Sequence, residues 1–343
     1  MTDNNVPTLR LGVFRAILLI IIAALTLSGI QAGPATIEQD DILYGYGDGV
    51  PLYMNVIRPR FRPKTPMPAV VWIHGGGWHT GNRYSGQVEC DYLAKRGFFT
   101  ASIDYRPSQE AVWPAQLHDC KSAVRALRAR AATWGIDANH IGVWGESAGG
   151  HLAALMGTTG GVASLEGDGG NGDRSSRVQA VCDWYGPTDL SRLDEMGSDL
   201  QASDPYSAPA LLFGSGGFEH HRQAVQDANP CHWVTRDDAP FLIVHGTNDC
   251  VVPLGQSELL ERALTRVGLP VQLVVLPNAG HCDPLFESTP VLALCARFFD
   301  RTLRPRIPRS KMRTASGEGI SSHSREARNA PAGQVPRIAE PAR

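Results

Sequence analysis

The stretch "HIGVWGESAGG" (residues 140–150) holds Ser147 inside a Gly-x-Ser-x-Gly pattern. An apolar run precedes the serine and a small-residue segment, "AGGHLAALMG", follows it, which predicts a sharp strand-to-helix turn. Gly145 and Gly149 suit such a turn, because side chains there would collide with neighbouring backbone. A helix starting just after Ser147 would aim its positive end at any oxyanion formed nearby. An ordinary glycine-rich turn with a capping serine uses the same five letters; the strand and helix around them favour a nucleophile.

A nucleophilic serine needs hydrogen-bond donors for the developing oxyanion, a base, and a group to orient that base. "HGGGW" (74–78) ends an earlier apolar run, so its glycines let backbone approach a substrate. The amides of Gly76, Gly77 and Ala148 are the candidate oxyanion donors. A phosphate cradle is the rival use of such a loop, but no lysine or dinucleotide-type acid follows. "PFLIVHGTND" delivers Asp249 at the end of one apolar run and "VQLVVLPNAGH" delivers His281 at the end of the next. The order Ser147, Asp249, His281 is nucleophile, acid, base. Asp283 is too near His281 in sequence to orient its ring easily, which leaves Asp249 as the acid. His151 and His74 read as structural. Glu146, beside the serine, either tunes the site or bonds locally. Asp104, Asp119, His220 and His221 have no evident partner set.

These residues require a scaffold that brings several strand ends to one edge. Between about Ile42 and Leu303, short apolar runs alternate with helix-like segments: 51–57, 68–77, 98–105, 140–147, 178–186, 240–246 and 271–277 read as strands. "WPAQLHDCKSAVRALRARAATWG", "PLGQSELLERALTRVG" and "TPVLALCARFFDRTL" read as helices between or after them. This alternation predicts an α/β fold with a mostly parallel sheet covered by helices on both faces. Ligands in such folds bind beyond the carboxyl ends of the strands. The Gly- and Asp-rich segment 158–177 reads as a flexible surface loop, and about 187–238 as a lid-like insertion over the strand ends.

At these residues a family resemblance becomes specific. "HGGGW", "GESAGGHLAAL", "WYGPTDL" (184–190), "HGTND" and "AGH" resemble, in order and spacing, the esterase/lipase α/β-hydrolases. The pattern is most similar to the bacterial feruloyl-esterase-like (BD-FAE-like) branch, related to hormone-sensitive-lipase-like carboxylesterases. The resemblance spans roughly Ile42 to Leu303. It implies an α/β-hydrolase fold with Ser147, Asp249 and His281 as the triad and Gly76, Gly77 and Ala148 as the oxyanion hole. The implied activity is cleavage of small-molecule or polysaccharide-linked carboxylic esters through an acyl-enzyme. An aryl formamidase, a peptidase or a non-catalytic binding module on the same fold are the alternatives.

Composition and the chain ends bound the rest. The 343 residues are 43% apolar and 19% charged, with a formal net charge of −2, so no concentrated basic character speaks for nucleic acid. No H-E-x-x-H, C-x-x-C or phosphate-loop pattern calls for a metal or nucleotide cofactor. Arg10 and Arg15, the apolar run Ala16–Leu27 and the small residues up to Ala32 predict a secretory signal over 1–32, hence a periplasmic or secreted protein. An uncleaved membrane anchor is the alternative. Residues 304–343, rich in Arg, Pro, Ser and Gly, predict a disordered basic tail outside a hydrolase domain spanning 33–303. Cys250 and Cys282 directly follow two residues that must meet, and export would supply an oxidising compartment. A Cys250–Cys282 disulfide is therefore expected, with Cys90, Cys120, Cys182, Cys231 and Cys295 unpaired.

Overall fold

The computed structural model describes residues 35–304. The predicted export segment, and all of the predicted tail except Arg304, lie outside the described residues. One eight-stranded sheet runs through the molecule, in the order β1-β2-β4-β3-β5-β6-β7-β8. Its strands are β1 (Thr36–Gly47), β2 (Val50–Pro59), β3 (Met67–Ile73), β4 (Phe99–Ile103), β5 (Ile136–Glu146), β6 (Val181–Trp184), β7 (Phe241–Gly246) and β8 (Val271–Leu276). From β4 onward every neighbouring pair is parallel. The two N-terminal strands add on antiparallel.

The apolar runs became the strands expected of them, because β3, β4, β6 and β7 are buried along their whole length. β1 was not foreseen. Its sequence, "TIEQDDILYGYG", is half polar and lies on an edge with most residues exposed or half-exposed, so it lacks the apolar signature of its neighbours. The main helices are α1 (Gln87–Ala94), α2 (Ala115–Ala129), α3 (Ala148–Thr158), α4 (Gly255–Arg266) and α5 (Thr289–Leu303). Among the described residues, no helix is long and apolar enough to cross a membrane.

The two sheet faces carry separate cores. On one, Leu117 and Val124 of α2, Leu152 and Leu155 of α3 and Leu260 and Leu264 of α4 pack on Ile73, Val143 and Ile243. On the other, Leu93 of α1 and Leu292 and Phe299 of α5 close over three tryptophans. Trp72, Trp144 and Trp184 come from the adjacent strands β3, β5 and β6. They meet edge to face, with centroids 4.8 to 5.9 Å apart. Such contacts add about 0.5–1.5 kcal/mol each beyond burial and brace the three central strands of the sheet.

Segment 158–177 is the surface loop expected, and part of it is anchored. Glu166 and several of the loop's carbonyls are gathered by cations of α2. The buried Lys121 Nζ donates to Thr159 O at 2.7 Å and to Glu166 Oε1 at 3.0 Å. Arg125 donates to the carbonyls of Glu166 and Gly170, and Ser122 to that of Gly169. Burial pulls the Lys121 ammonium below the usual lysine value. Burial also pushes the Glu166 carboxyl up, but Lys121, Ser176 and the Gly161 amide outweigh it, holding the group below the ordinary carboxylate value. Composition signalled a loop, whereas the anchoring charges come from another element. Removing Glu166 strands a buried cation, so Glu166→Ala is expected to cost on the order of 2–4 kcal/mol of unfolding free energy in urea. A loss below about 0.5 kcal/mol would mean the pair behaves like a surface ion pair.

Candidate active site

Ser147 sits between β5 and α3 with φ 51°, in the left-handed region that non-glycine residues seldom occupy. The turn holds because the following helix packs hard against the end of β3. A Cβ on Gly149 would lie 2.0 Å from the carbonyl oxygen of Ile73, so only glycine fits. The Ser147 amide donates to Trp184 O at 2.9 Å, tying the elbow to β6.

Asp249 and His281 arrive from the ends of β7 and β8. His281 Nε2 lies 2.9 Å from Ser147 Oγ, and His281 Nδ1 lies 2.7 Å from Asp249 Oδ2. An ionised carboxylate can only accept, so Nδ1 donates to it and Nε2 is left free to accept the serine proton. The Asp249 carboxylate is almost fully buried. Its Oδ1 accepts the amides of Val251 at 3.0 Å and Val252 at 2.8 Å. Burial pushes this carboxyl up, but hydrogen bonds from His245 and His281 and the Val252 amide outweigh it and hold it well below the usual carboxylate range.

His245 had escaped notice in the sequence. It is fully buried on β7, with Nδ1 2.7 Å from Ser257 Oγ and Nε2 2.7 Å from Val252 O. A carbonyl only accepts, so Nε2 carries the proton, and the same nitrogen lies 3.3 Å from Asp249 Oδ2. The acid is thus flanked by two imidazoles. The available signal was a polar residue inside the otherwise apolar run "FLIVHG".

The glycine loop after β3 is shaped by where its carbonyls point. Gly75 O accepts from His74 Nδ1 at 2.7 Å and from the Tyr105 hydroxyl at 3.3 Å. Gly76 O accepts the amides of His79 and Thr80 at 3.1 and 3.0 Å. In a trans peptide the N–H points opposite the preceding C=O, so the amides of Gly76 and Gly77 face the other way. Both residues have positive φ, 99° and 59°. Neither amide has a partner among the described residues, and the amide of Ala148, in the first turn of α3, has none within its helix. Gly76, Gly77, Ala148, Ser147 and His281 all line one cavity of about 320 Å³. Pro187, Leu200, Ala208 and Pro209, from the segment between β6 and β7, close part of it.

The residues read as structural are so placed. His151 is buried, accepts from Trp78 Nε1 at 3.2 Å and donates to Ala228 O at 2.6 Å, joining α3, the glycine loop and the insertion. Burial pulls its pKa down to about 4. Asp104 pairs with Arg83, and Asp119 with Arg106. His220 and His221 bond to nearby carbonyls.

The expected Cys250–Cys282 disulfide is absent: both are free thiols. Neighbouring side chains on a chain point different ways, and while Asp249 and His281 turn towards each other, their successors do not. Both thiols are exposed: the Cys250 backbone carbonyl accepts the Asp199 amide at 2.7 Å, whereas Cys282 contributes to the cavity wall. The nearest thiol approach is elsewhere, between buried Cys182 and Cys295, whose sulfurs are 3.7 Å apart and unbonded.

The BD-FAE family model matches residues 54–264, more than half of the chain. Esterase LipC of Mycobacterium tuberculosis is 32% identical over 78% of this chain and 66% of its own length. The chain spans between half and two-thirds of LipC and the related LipM and LipQ. Among solved structures, a truncated form of a carbohydrate esterase from gut microbiota is 30% identical, with TM-score 0.71 over 78% of this chain and 96% of that one. Thermogutta terrifontis esterase 2, in a form phosphorylated by paraoxon, is 26% identical, with TM-score 0.63 over 80% of this chain and 97% of that one. By sequence and by fold, the chain belongs to the BD-FAE family of α/β-hydrolase-fold proteins.

Proposed function

We propose that this protein is a serine carboxylesterase in which Ser147 is the nucleophile, His281 the general base and Asp249 the orienting acid. The observation that carries the reading is the unbroken relay from Asp249 Oδ2 through His281 to Ser147 Oγ, at 2.7 and 2.9 Å, opening onto a small cavity. Ser147 Oγ attacks the ester carbonyl while its proton passes to His281 Nε2. The oxyanion is met by the amides of Gly76, Gly77 and Ala148, each such donor being worth roughly 3–4 kcal/mol in the transition state. The carbon–oxygen bond to the alcohol breaks, and His281 gives its proton to the departing oxygen. Water then attacks the acyl-serine, His281 takes its proton and returns it to Ser147, and the carboxylic acid leaves. Asp249 holds the ring in the one tautomer that permits these transfers. Chains named as esterases among the relatives support ester cleavage over amide cleavage. Export, to the periplasm or the medium, is proposed from the N-terminal residues alone.

Ser147→Ala should lower kcat by on the order of 10⁶ with thermal unfolding little changed, and Asp249→Asn should lower it by about 10⁴ through loss of the tautomer. More than a few per cent residual activity in Ser147→Ala would exclude Ser147 as nucleophile. A cavity of about 320 Å³ bounded by Leu200, Pro209 and Val252 leaves little room for a long acyl chain. Across p-nitrophenyl esters, kcat/KM should therefore peak at acetate to butyrate and fall at least about tenfold by decanoate. A maximum at decanoate would contradict this account of the cavity.

A further inference from the structure

His245 is a polar residue in the buried strand β7, and its partners Ser257 and Val252 are buried with it. It does not line the cavity. A buried imidazole is tolerable only when its nitrogens are met. Ser257 Oγ, from α4, donates to Nδ1 at 2.7 Å, and Nε2–H donates to Val252 O at 2.7 Å. The carbonyl can only accept, so the ring holds one tautomer, with its N–H on the side of the acid loop.

That nitrogen also lies 3.3 Å from Asp249 Oδ2, the same oxygen that accepts from His281 Nδ1 at 2.7 Å. Burial pushes the Asp249 carboxyl up, and of the groups that hold it down His245 comes first and His281 second. Two imidazole donors therefore draw on one oxygen, while Oδ1 is taken up by the Val251 and Val252 amides. The charge on Oδ2 is what stabilises the imidazolium formed when His281 takes the serine proton. What His245 draws off is withheld from His281. The other titratable groups around this chain are Asp183 of β6, buried and within electrostatic reach of His245; Tyr185, edge-on to the His281 ring and bonded to Glu146; and Cys282 and Asp283, next to His281 in sequence. The side-chain hydrogen bonds of Asp183, Tyr185 and Asp283 go to groups other than Asp249.

We propose that His245 is a positioning residue for the reaction: its N–H, fixed by Ser257 and Val252, shares Asp249 Oδ2 with His281 and so lowers the pH at which the base becomes free to act. This rests on the esterase reading above. A ring that only filled space under the acid loop would alter stability, or turnover equally at every pH. A ring that divides the acid's charge moves the acid limb of the pH profile. Without His245 more of that charge falls on His281, its imidazolium is held more tightly, and the neutral base appears only at higher pH.

The test is the pH dependence of kcat/KM for p-nitrophenyl acetate in the wild-type protein, His245→Phe, His245→Gln and Ser257→Ala. His245→Phe keeps a ring beneath the loop without the donor. The midpoint of its acid limb should rise by about half a pH unit or more, with KM changed less than about twofold. His245→Gln restores a side-chain donor and should return the midpoint to within about 0.2 unit of wild type. Ser257→Ala removes the bond that polarises the ring, should raise the midpoint by a smaller amount, and decides the matter if neither histidine variant folds. A midpoint unmoved or lowered in folded His245→Phe, one in His245→Gln equal to that of His245→Phe, or one unmoved in Ser257→Ala would each overturn the proposal. Wild-type turnover with unmoved variants overturns this inference alone, whereas no turnover by the wild-type protein overturns the esterase reading with it.

Discussion

The site depends on a backbone contact between the start of α3 and the end of β3. Gly149 approaches so closely that an added Cβ would sit 2.0 Å from Ile73 O and 2.5 Å from His74 O. That approach places the elbow at Ser147 directly beside the glycine loop, so the proposed nucleophile and the proposed oxyanion donors are set by one piece of packing. It also accounts for the strained φ of Ser147, since the chain must reverse at once to enter α3 from β5. The strain is supported by the bonds around it: Ser147 N to Trp184 O, His151 N to Ser147 O, and the edge-to-face tryptophans that brace β3, β5 and β6. Rigid elements of this kind hold polar groups to the tolerance that proton transfer needs.

A second support lies under the acid. Asp249 is buried, and a buried carboxylate is tolerable only when its lone pairs are met. Four donors meet them: two backbone amides, His281 and His245. His245 is in turn fixed by Ser257 from α4, so a helix remote from the cavity takes part in orienting the base. The glycine loop shows the same logic on the opposite wall, where His74 and Tyr105 hold carbonyls so that amides face inward.

Much of this was legible in the sequence. Apolar runs buried on both faces announce themselves, and the residues just beyond them, Ser147, Asp249 and His281, could be picked out because parallel strands end at one edge. What escaped was what depends on side-chain direction or on partners distant in sequence. β1 was hidden by its half-polar edge character. Segment 158–177 looked flexible by composition but is gathered by Lys121 and Arg125, more than forty positions from most of their partners. The cysteine pairing failed for the reason of direction: residues 249 and 281 touch, while the thiols that follow them stay free and exposed.

If the relay makes Ser147 uniquely nucleophilic, covalent capture will show it. Purified protein would be treated with a stoichiometric alkyl fluorophosphonate and mapped by peptide mass spectrometry, alongside His281→Ala. One adduct per chain is expected, on Ser147, formed at least about a hundredfold more slowly in the variant that lacks the base. An adduct on another serine, or equal rates with and without His281, would contradict it.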